Sequence, residues 1–419
     1  MSSELFAPLV LRSGLVLRNR IAKAAMEEGM AGRAQLPDQR LVSLYRRWGA
    51  GGAGLLITGN VMVHARALTG PAGVVLDVDT PLAPFRSWAA AGKAGGAAMW
   101  MQISHPGRQV PANLPGVVWG PSAVGVDLGR HTTRFGRPVA MTREQIDATV
   151  ERFAVTAVRA ERAGFDGVEV HAAHGYLLSQ FLSPLANRRT DRWGGSLANR
   201  ARLLLDSVRA IRSVVSPSFA VAVKLNSADF QRGGFDAADA QRVIAMLAPL
   251  GVDLVELSGG NYESPAMSGR PAQEQREVRT AAREAYFLEL ATELARTSPL
   301  PLMLTGGISR RETAEQVLAN GVAVVGMATA LAGTPDLPNR WRAGAQAGAQ
   351  AGARPRPVTW SDRTLASAAG MALVRYQLRR IARGGSPRLG THPAHALACD
   401  QLAARRALRR YRSWLRTSA

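Results

Sequence analysis

The sequence predicts an α/β protein with the architecture of a (β/α)8 TIM barrel. Eight short apolar segments recur between residues 21 and 326, and each is followed by an amphipathic stretch or a loop. The segments are almost continuously apolar, which is typical of parallel strands buried on both faces. Eight such units in succession favour a barrel. A doubly wound sheet is the alternative, although no GxGxxG motif follows the first strand.

The elements follow from the positions of these apolar and amphipathic stretches. The predicted strands are Ile21–Ala25, Gly54–Thr58, Ala97–Ile103, Gly167–His171, Phe219–Leu225, Val252–Leu257, Pro301–Thr305 and Val322–Gly326. Helical periodicity predicts helices at Arg40–Trp48, Arg143–Ala163, Asn199–Val214, Asp239–Leu250, Ala282–Thr297 and Arg311–Asn320.

Other segments lie outside the repeating pattern. Leu9 to Leu17, with Ser13-Gly14 at its centre, predicts a hairpin that closes the bottom of the barrel. The Gly-, Pro- and Arg-rich stretch from Pro106 to Pro138 predicts a long loop after the third strand and a candidate lid, because loops after barrel strands open at the catalytic face. We assign residues 1–340 to the barrel, 341–358 to a low-complexity linker and 359–419 to a basic helical extension.

Composition limits the functional classes. The only cysteine, Cys399, excludes an intramolecular disulfide and a cysteine-ligated zinc or iron–sulfur cluster. No apolar run reaches the ~20 residues of a membrane span, and no signal-like segment begins the chain, so we expect a cytoplasmic protein. The net charge is +21, but residues 341–419 hold fifteen arginines against two aspartates. We prefer a solvated helical surface or a homo-oligomer contact for this tail over nucleic-acid binding, because no aromatic residues interleave the arginines as base-stacking platforms.

The most informative motif follows the fourth strand, in the sequence HAAHGYL. His171 and His174 stand three residues apart, so their N–H donors can converge on a single carbonyl oxygen, and Tyr176 lies close enough to transfer a proton. A pair of structural histidines is one alternative. A zinc site is another, but an HxxH pair without a third ligand is incomplete. We therefore predict no metal and assign catalytic roles to these three residues.

Polar residues and glycines at other strand ends predict a bound cofactor. Gln102 offers a donor and an acceptor to a ring edge, while Gly59 and Asn60 leave space for a flat ring. Lys224 ends an apolar strand and therefore needs an anionic neighbour; a Schiff-base role, as in barrel aldolases, is the competing interpretation. Three glycines after strands seven and eight suit a phosphate: Gly306, Gly307 and Gly326.

The HAAHGYL core and the following RTDRWGGS closely resemble the old yellow enzyme family of FMN-dependent oxidoreductases, over roughly residues 5–335. The resemblance implies an FMN cofactor, NADH or NADPH as reductant, and reduction of the C=C bond of α,β-unsaturated carbonyl compounds. It implies that Gln102 binds the uracil-like edge of the flavin and that Lys224 faces its N1/O2 edge. It also implies that Tyr176 protonates the substrate α-carbon.

The resemblance extends to the first and last strands, with two departures. It implies backbone contacts to the flavin from Ala25 and Met26. Glu27 stands where many relatives have Cys or Thr, and we expect it, with Tyr262, to line the substrate pocket. Met327 stands where relatives commonly have Arg, so we expect the phosphate to depend on backbone amides, alone or together with another arginine.

The larger, iron–sulfur branch of the family is excluded by the single cysteine and by the lack of a dinucleotide-binding module. We expect small-molecule substrates and no membrane or nucleic-acid partner. The substrate depends on the loops at Pro106–Pro138 and Asn261–Pro271, which vary within the family. A flavin-free lyase or aldolase using Lys224, and a binder of acidic partners through the tail, are the alternative functions.

Overall fold

A computed structural model describes residues 3–260, 263, 290–344 and 351–417 of the chain. Eight parallel strands form a closed barrel: β3 (Ile21–Lys23), β4 (Leu55–Ile57), β7 (Ala98–Ser104), β10 (Gly167–Ala172), β11 (Ala220–Asn226), β12 (Leu254–Ser258), β13 (Leu302–Thr305) and β14 (Val324–Met327). Each strand pairs with its neighbours in chain order, and the pairing of β10 with β7 and of β14 with β3 closes the circle. The TIM-barrel prediction is confirmed, and all eight predicted strands are present.

Helices surround the barrel, and four of those described here begin at a residue whose side chain caps the helix. They are α1 (Gln39–Gly49), α2 (Ala83–Lys93), α3 (Arg143–Arg162), α4 (Leu177–Leu182), α5 (Leu197–Arg212), α6 (Ala237–Leu247), α7 (described over 290–297), α8 (Arg311–Ala319), α9 (Thr329–Gly333) and α10 (Leu337–Arg342). Thr142 and Gln145 form a capping box at the start of α3, and Asp38 caps α1. The predicted helix at 282–297 lies partly outside the described residues.

Side chains that alternate along the strands divide the core into two layers. Outward residues such as Val168 and Val170 pack against the helices, whereas Leu55, Trp100 and Leu254 fill the lower lumen. The predicted hairpin is confirmed: β1 (Leu9–Val10) pairs antiparallel with β2 (Val16–Leu17). Leu11 and Leu17 pack into the lower lumen cluster, so the hairpin closes this end of the barrel and leaves the carboxyl ends of the strands as the accessible mouth.

Short strands elaborate the loops at this mouth. In the loop after β4, β5 (Val61–Met62) and β6 (Val74–Val75) pair with each other, and β5 also pairs with β7. In the long loop after β7, β8 (Trp119–Gly120) pairs with β9 (Val139–Ala140), and a 3₁₀ turn covers Gly129–Arg134. This loop is therefore structured over the catalytic face, while its role as a lid stays a prediction.

Two long helices follow the barrel, α11 (Arg363–Ala382) and α12 (Pro393–Thr417). Leu378 and Ile381 join the main core cluster, and the Tyr411 hydroxyl donates to the Ala65 carbonyl oxygen at 3.0 Å. The basic extension thus packs against the barrel and against the loop after β4. Among the described residues, no helix is long and apolar enough to cross a membrane.

Candidate active site

Alternation along the strands brings a polar layer together in the upper lumen. Gln102, Glu169, His171, Lys224 and Glu256 are each at most 2% exposed. The parallel register sets Glu169 beside Gln102, His171 beside Lys224, and Lys224 beside Glu256. Five polar side chains therefore meet where β7, β10, β11 and β12 end, the end of a barrel at which catalytic residues lie.

The two carboxyl groups of this layer share one negative charge. Burial raises the pKa of Glu169 well above its usual range, and the charge and hydrogen bond of Glu256 raise it further. Burial also opposes ionisation of Glu256, but the charge of Lys224 and the hydrogen bonds from Glu169 and Lys224 hold its pKa below the ordinary value. The two shifts therefore favour the proton on Glu169 and the negative charge on Glu256, which balances the Lys224 ammonium.

Lys224 has the anionic neighbour that its burial predicted. Its Nζ donates to Glu256 Oε1 at 2.7 Å in a salt bridge between side chains that are 3% and 0% exposed. Gln102 is oriented in a similar way, since its Nε2 donates to Glu169 Oε2 at 2.5 Å and its backbone N–H donates to Thr58 Oγ1 at 2.9 Å. Both groups predicted to contact the flavin ring are thus held by carboxyl partners beneath them.

His171 is held as a neutral hydrogen-bond donor. Burial, followed by the charges of His174 and Lys224, holds the pKa of His171 well below its usual range. Its Nδ1 accepts a hydrogen bond from the Ala173 N–H at 3.2 Å. A neutral imidazole with an acceptor at Nδ1 carries its proton at Nε2, so Nε2–H can donate to a ligand.

His174 stands close to His171 and is held by different contacts. The two rings are edge to face with centroids 5.1 Å apart. Asn226 Oδ1 accepts the His174 backbone N–H at 3.0 Å and Ser258 Oγ lies 2.8 Å from its Nε2, while its φ of 59° is uncommon outside glycine. Burial and Lys224 lower the pKa of His174 to about 3, so it too is neutral near pH 7.

Tyr176 completes the predicted trio. Its ring centroid lies 4.9 Å from that of His171, with the planes at 80°, and the side chain is 5% exposed. Tyr176 caps the short helix α4 directly after the two histidines. The structure therefore brings the three predicted catalytic residues into one cluster at the end of β10.

The predicted contacts after β3 and β4 lie on one side of this mouth. Ala25, Met26 and Glu27 are partly exposed, and Glu27 Oε1 accepts from Thr69 Oγ1 at 2.5 Å. Burial raises the pKa of Glu27, against the lowering effects of Thr69 and Arg375. A Cβ atom at Gly59 would lie 2.2 Å from the Met26 carbonyl oxygen, so only glycine fits at this close approach.

The predicted phosphate loops meet after β13 and β14. Gly306 and Gly307 have φ values of 147° and 72°, conformations that favour glycine. A Cβ atom at Gly326 would lie 1.9 Å from Thr305 Oγ1, so the chain is tightly packed here. The Met327 side chain is 1% exposed within the layer between barrel and helices, and its carbonyl oxygen accepts from the Ala24 N–H at 2.9 Å. Met327 therefore offers no side-chain contact to a phosphate.

Sequence reasoning did not find four residues that shape this site. Glu169 and Glu256 support Gln102 and Lys224, while Asn226 and Ser258 hold His174. A usable signal was present for the carboxyl pair, because each glutamate interrupts an apolar strand in the pattern Val-Glu-Val or Val-Glu-Leu. The predicted substrate residue Tyr262 lies outside the described residues.

A closed parallel barrel whose buried polar side chains converge at the carboxyl ends of its strands defines a (β/α)8-barrel enzyme. The model of the NADH:flavin oxidoreductase / NADH oxidase family matches residues 4–347, and the chain belongs to this family. It is an FMN-dependent oxidoreductase that uses NADH or NADPH, as the HAAHGYL motif indicated.

Relatives and solved structures agree with this assignment. The chain is 38% identical over 349 residues to the NADH-dependent flavin oxidoreductase iliE of Hypocrea jecorina (strain QM6a), covering 79% of this chain and 87% of that protein. It superposes with a TM-score of 0.69 on the old yellow enzyme homologue from Zymomonas mobilis, at 26% identity over 82% and 93% of the two chains. Morphinone reductase in complex with tetrahydroNAD gives the same TM-score at 25% identity, over 85% and 93%.

The residues of the mouth fit FMN in their chemistry. The Gln102 carboxamide suits the alternating donors and acceptors of the uracil-like edge, and the Lys224 ammonium suits the electron-rich edge beside it. Two buried oxygens at this mouth, Asn60 Oδ1 and Ser227 Oγ, have no hydrogen-bond partner among the described residues. Buried polar atoms normally find a partner, so unsatisfied oxygens at the ends of β4 and β11 are expected where a polar ligand binds.

Proposed function

We propose that this enzyme reduces the C=C bond of α,β-unsaturated carbonyl compounds with electrons from NADH or NADPH. One observation carries the proposal: at the end of β10 the neutral His171 ring has its centroid 5.1 Å from that of neutral His174 and 4.9 Å from that of Tyr176. Neutral imidazoles donate hydrogen bonds without the cost of burying a second charge beside Lys224. This arrangement suits an oxygen atom that gains negative charge during the reaction.

His171 would donate from Nε2 to the substrate carbonyl oxygen, and His174 would donate beside it. Both hydrogen bonds strengthen as charge builds on the oxygen, so they withdraw electrons from the conjugated β-carbon and prepare it to accept hydride. FMN, when bound, would supply the hydride chemistry with electrons from the nicotinamide. Gln102 and Lys224 would hold the flavin ring.

Tyr176 would then complete the reaction by protonating the substrate α-carbon. The hydride forms a C–H bond at the β-carbon, the former π electrons form the α C–H bond with the Tyr176 proton, and solvent returns a proton to the phenolate. Similarity to morphinone reductase and to an old yellow enzyme homologue supports this assignment.

The family assignment also removes the support for a flavin-free lyase using Lys224. The amine of that lysine is engaged with Glu256 in a salt bridge, whereas a Schiff-base nucleophile must be present as the neutral amine.

The test begins with the visible spectrum of the purified protein. We expect flavin absorbance that bleaches anaerobically with NADH or NADPH and returns when cyclohexenone is added, with cyclohexanone as the product. Reduced flavin that reoxidises with oxygen but not with cyclohexenone would contradict the proposed substrate class without affecting the family assignment.

Variants then test the assigned roles. His171→Ala should weaken the binding of phenolic ligands and lower kcat/KM for cyclohexenone about 100-fold, since one donor to a developing oxyanion contributes that much. His392→Ala, which changes an exposed histidine of the extension, is the matched control and should leave both values unchanged. Loss of the flavin from His171→Ala would show that His171 belongs to the cofactor site instead.

A further inference from the structure

A short segment beyond the family-matched region lies directly against the loops after β13 and β14. Family similarity ends at residue 347, and the described chain resumes at residue 351. The Gly352 N–H donates to the Ser309 carbonyl oxygen at 2.6 Å, and the Ala353 N–H donates to Thr334 Oγ1 at 3.0 Å. Ala351 also forms an antiparallel bridge with Arg310. The segment is thus fixed to both loops by its backbone.

Steric contacts fix the same segment against α9. A Cβ atom at Gly352 would lie 2.7 Å from Ala330 Cβ, and one at Gly333 would lie 1.9 Å from the Ala353 carbonyl oxygen. Both distances are shorter than real Cβ contacts allow, so only glycine lets the two backbones approach this closely. The position of the next residue, Arg354, is therefore set by the fold rather than by its own side chain.

Arg354 extends its side chain onto the glycine loop after β13. Its Nη2 donates to the Gly307 carbonyl oxygen and to Ser309 Oγ, the latter at 2.7 Å. Gly307 is one of the two left-handed glycines predicted to hold the flavin phosphate. A guanidinium is consequently held beside that loop by two hydrogen bonds.

Two other side chains close to these loops do not supply this cation. The side chain of Met327, the position at which relatives commonly have arginine, is apolar and buried away from the loop. Arg311 is turned toward Glu315 and the Trp341 carbonyl oxygen, at 2.9 Å each. A phosphate dianion bound by backbone amides alone would lack a charged partner, and arginine is the side chain best suited to supply one.

We propose that Arg354 supplies the positive charge of the FMN phosphate subsite, so that a segment outside the family-matched region completes the cofactor site. The inference rests on the proposed phosphate site at Gly306–Gly307. It assigns to Arg354 the recognition of the phosphate group and no contact with the isoalloxazine ring. Riboflavin, which has the same ring but no phosphate, is therefore the discriminating ligand.

The experiment titrates full-length apoprotein with FMN and with riboflavin and follows flavin fluorescence. Arg354→Ala should weaken FMN binding about 10-fold, the usual order for loss of one charged hydrogen-bonding partner at a partly exposed site. Riboflavin binding should change less than twofold. Arg356→Ala changes a neighbouring exposed arginine of the same segment and should leave both affinities unchanged.

Two further measurements keep the outcome decisive. Arg354→Lys retains the charge and should recover part of the FMN preference, and FMN binding should depend less on salt in Arg354→Ala than in the unchanged protein. Equal weakening of FMN and riboflavin, or no weakening of FMN, would overturn the proposal, since the first shows a structural role and the second shows no role. The titrations measure cofactor binding without turnover, so failure of the ene-reductase assignment is scored separately by the cyclohexenone assay.

Discussion

Two buried lysines lie on opposite faces of the same barrel wall, and the sequence alone does not tell them apart. Lys23 on β3 points outward into the helix layer, whereas Lys224 on β11 points into the lumen. They are 0% and 2% exposed, and each has a glutamate partner, Glu28 or Glu256. Each follows an apolar run, so each qualifies as a buried cation that needs an anion.

The two lysines differ in how many contacts the protein makes with each ammonium group. Lys23 Nζ donates to Tyr45 Oη at 2.9 Å and to the Ile57 carbonyl oxygen at 2.7 Å, and lies 4.5 Å from the ring centroid of Trp48. The one hydrogen bond from Lys224 Nζ within the described residues goes to Glu256. Lys23 has its hydrogen bonds supplied by the protein, as expected of a structural lysine. Lys224 donates only to Glu256 among the described residues and lies at the barrel mouth, so its ammonium group can also contact a ligand.

The largest expected effect is the loss of stability on replacing Lys23, the outer lysine. Lys23→Met should lower the free energy of unfolding by about 3–5 kcal/mol, because Glu28 is left buried without its cation. Urea unfolding followed by far-ultraviolet circular dichroism measures this loss. Flavin content of the folded variant should be normal; a variant that is stable but lacks flavin would place Lys23 in the site and break the comparison.

Lys224, the inner lysine, should instead affect the rate of flavin reduction. Lys224→Met should slow flavin reduction by NADH or NADPH about 100- to 1000-fold, which corresponds to about 2.7–4 kcal/mol of transition-state stabilisation. Anaerobic stopped-flow absorbance gives the rate, and Lys224→Arg serves as the charge-conserving control with most of the rate retained. If NADH or NADPH reduces the flavin of Lys224→Met at the normal rate, Lys224 is structural as well.

The carboxyl pair beneath the flavin site offers a matched comparison of two glutamates. Glu169→Gln replaces a group that is already neutral, so it should cost less than about 1 kcal/mol of stability. Glu256→Gln removes the ionised partner of Lys224 and should cost about 2 kcal/mol more, since Glu169 can take up only part of its role. If urea unfolding shows equal losses of stability for the two variants, the negative charge is shared evenly between Glu169 and Glu256.

The remaining predictions concern the pH dependence of stability, with one effect in the acid range and one in the alkaline range. His174 has its pKa lowered to about 3, so between pH 6.5 and 3 the unfolded chain binds a proton that the folded ring does not. The free energy of unfolding therefore decreases as the pH is lowered from 6.5 to 3, and His174→Asn should reduce this slope by up to about 1.4 kcal/mol per pH unit.

For Lys23 the corresponding window is alkaline. Burial, opposed by Glu28, lowers the pKa of Lys23 to about 8, so between about pH 8 and 10.5 the unfolded chain again binds the extra proton. Stability attributable to Lys23 therefore rises with pH in this window, and Lys23→Met should flatten the rise. Unfolding titrations at a series of pH values measure both slopes; an acid effect of Lys23→Met would contradict the assignment.

The fold was predictable because its signals are local. Eight apolar strands, the helical periods between them and the capping residues Thr142 and Asp38 each act over a few residues, and a closed barrel is the arrangement that buries such strands on both faces. The proximity of His171, His174 and Tyr176 was predictable for the same reason, since they lie within six consecutive residues. The HAAHGYL motif thus identified the family from sequence alone.

Only the tertiary structure decided which distant groups support that chemistry. Glu169 and Glu256 lie beside Gln102 and Lys224 because strands far apart in sequence pair in one register, which no local pattern encodes. The same holds for Arg354, which reaches the Gly307 loop only because the chain folds back across α9. Charges, proton positions and hydrogen-bond partners depend on spatial neighbours, and burial makes those neighbours decisive.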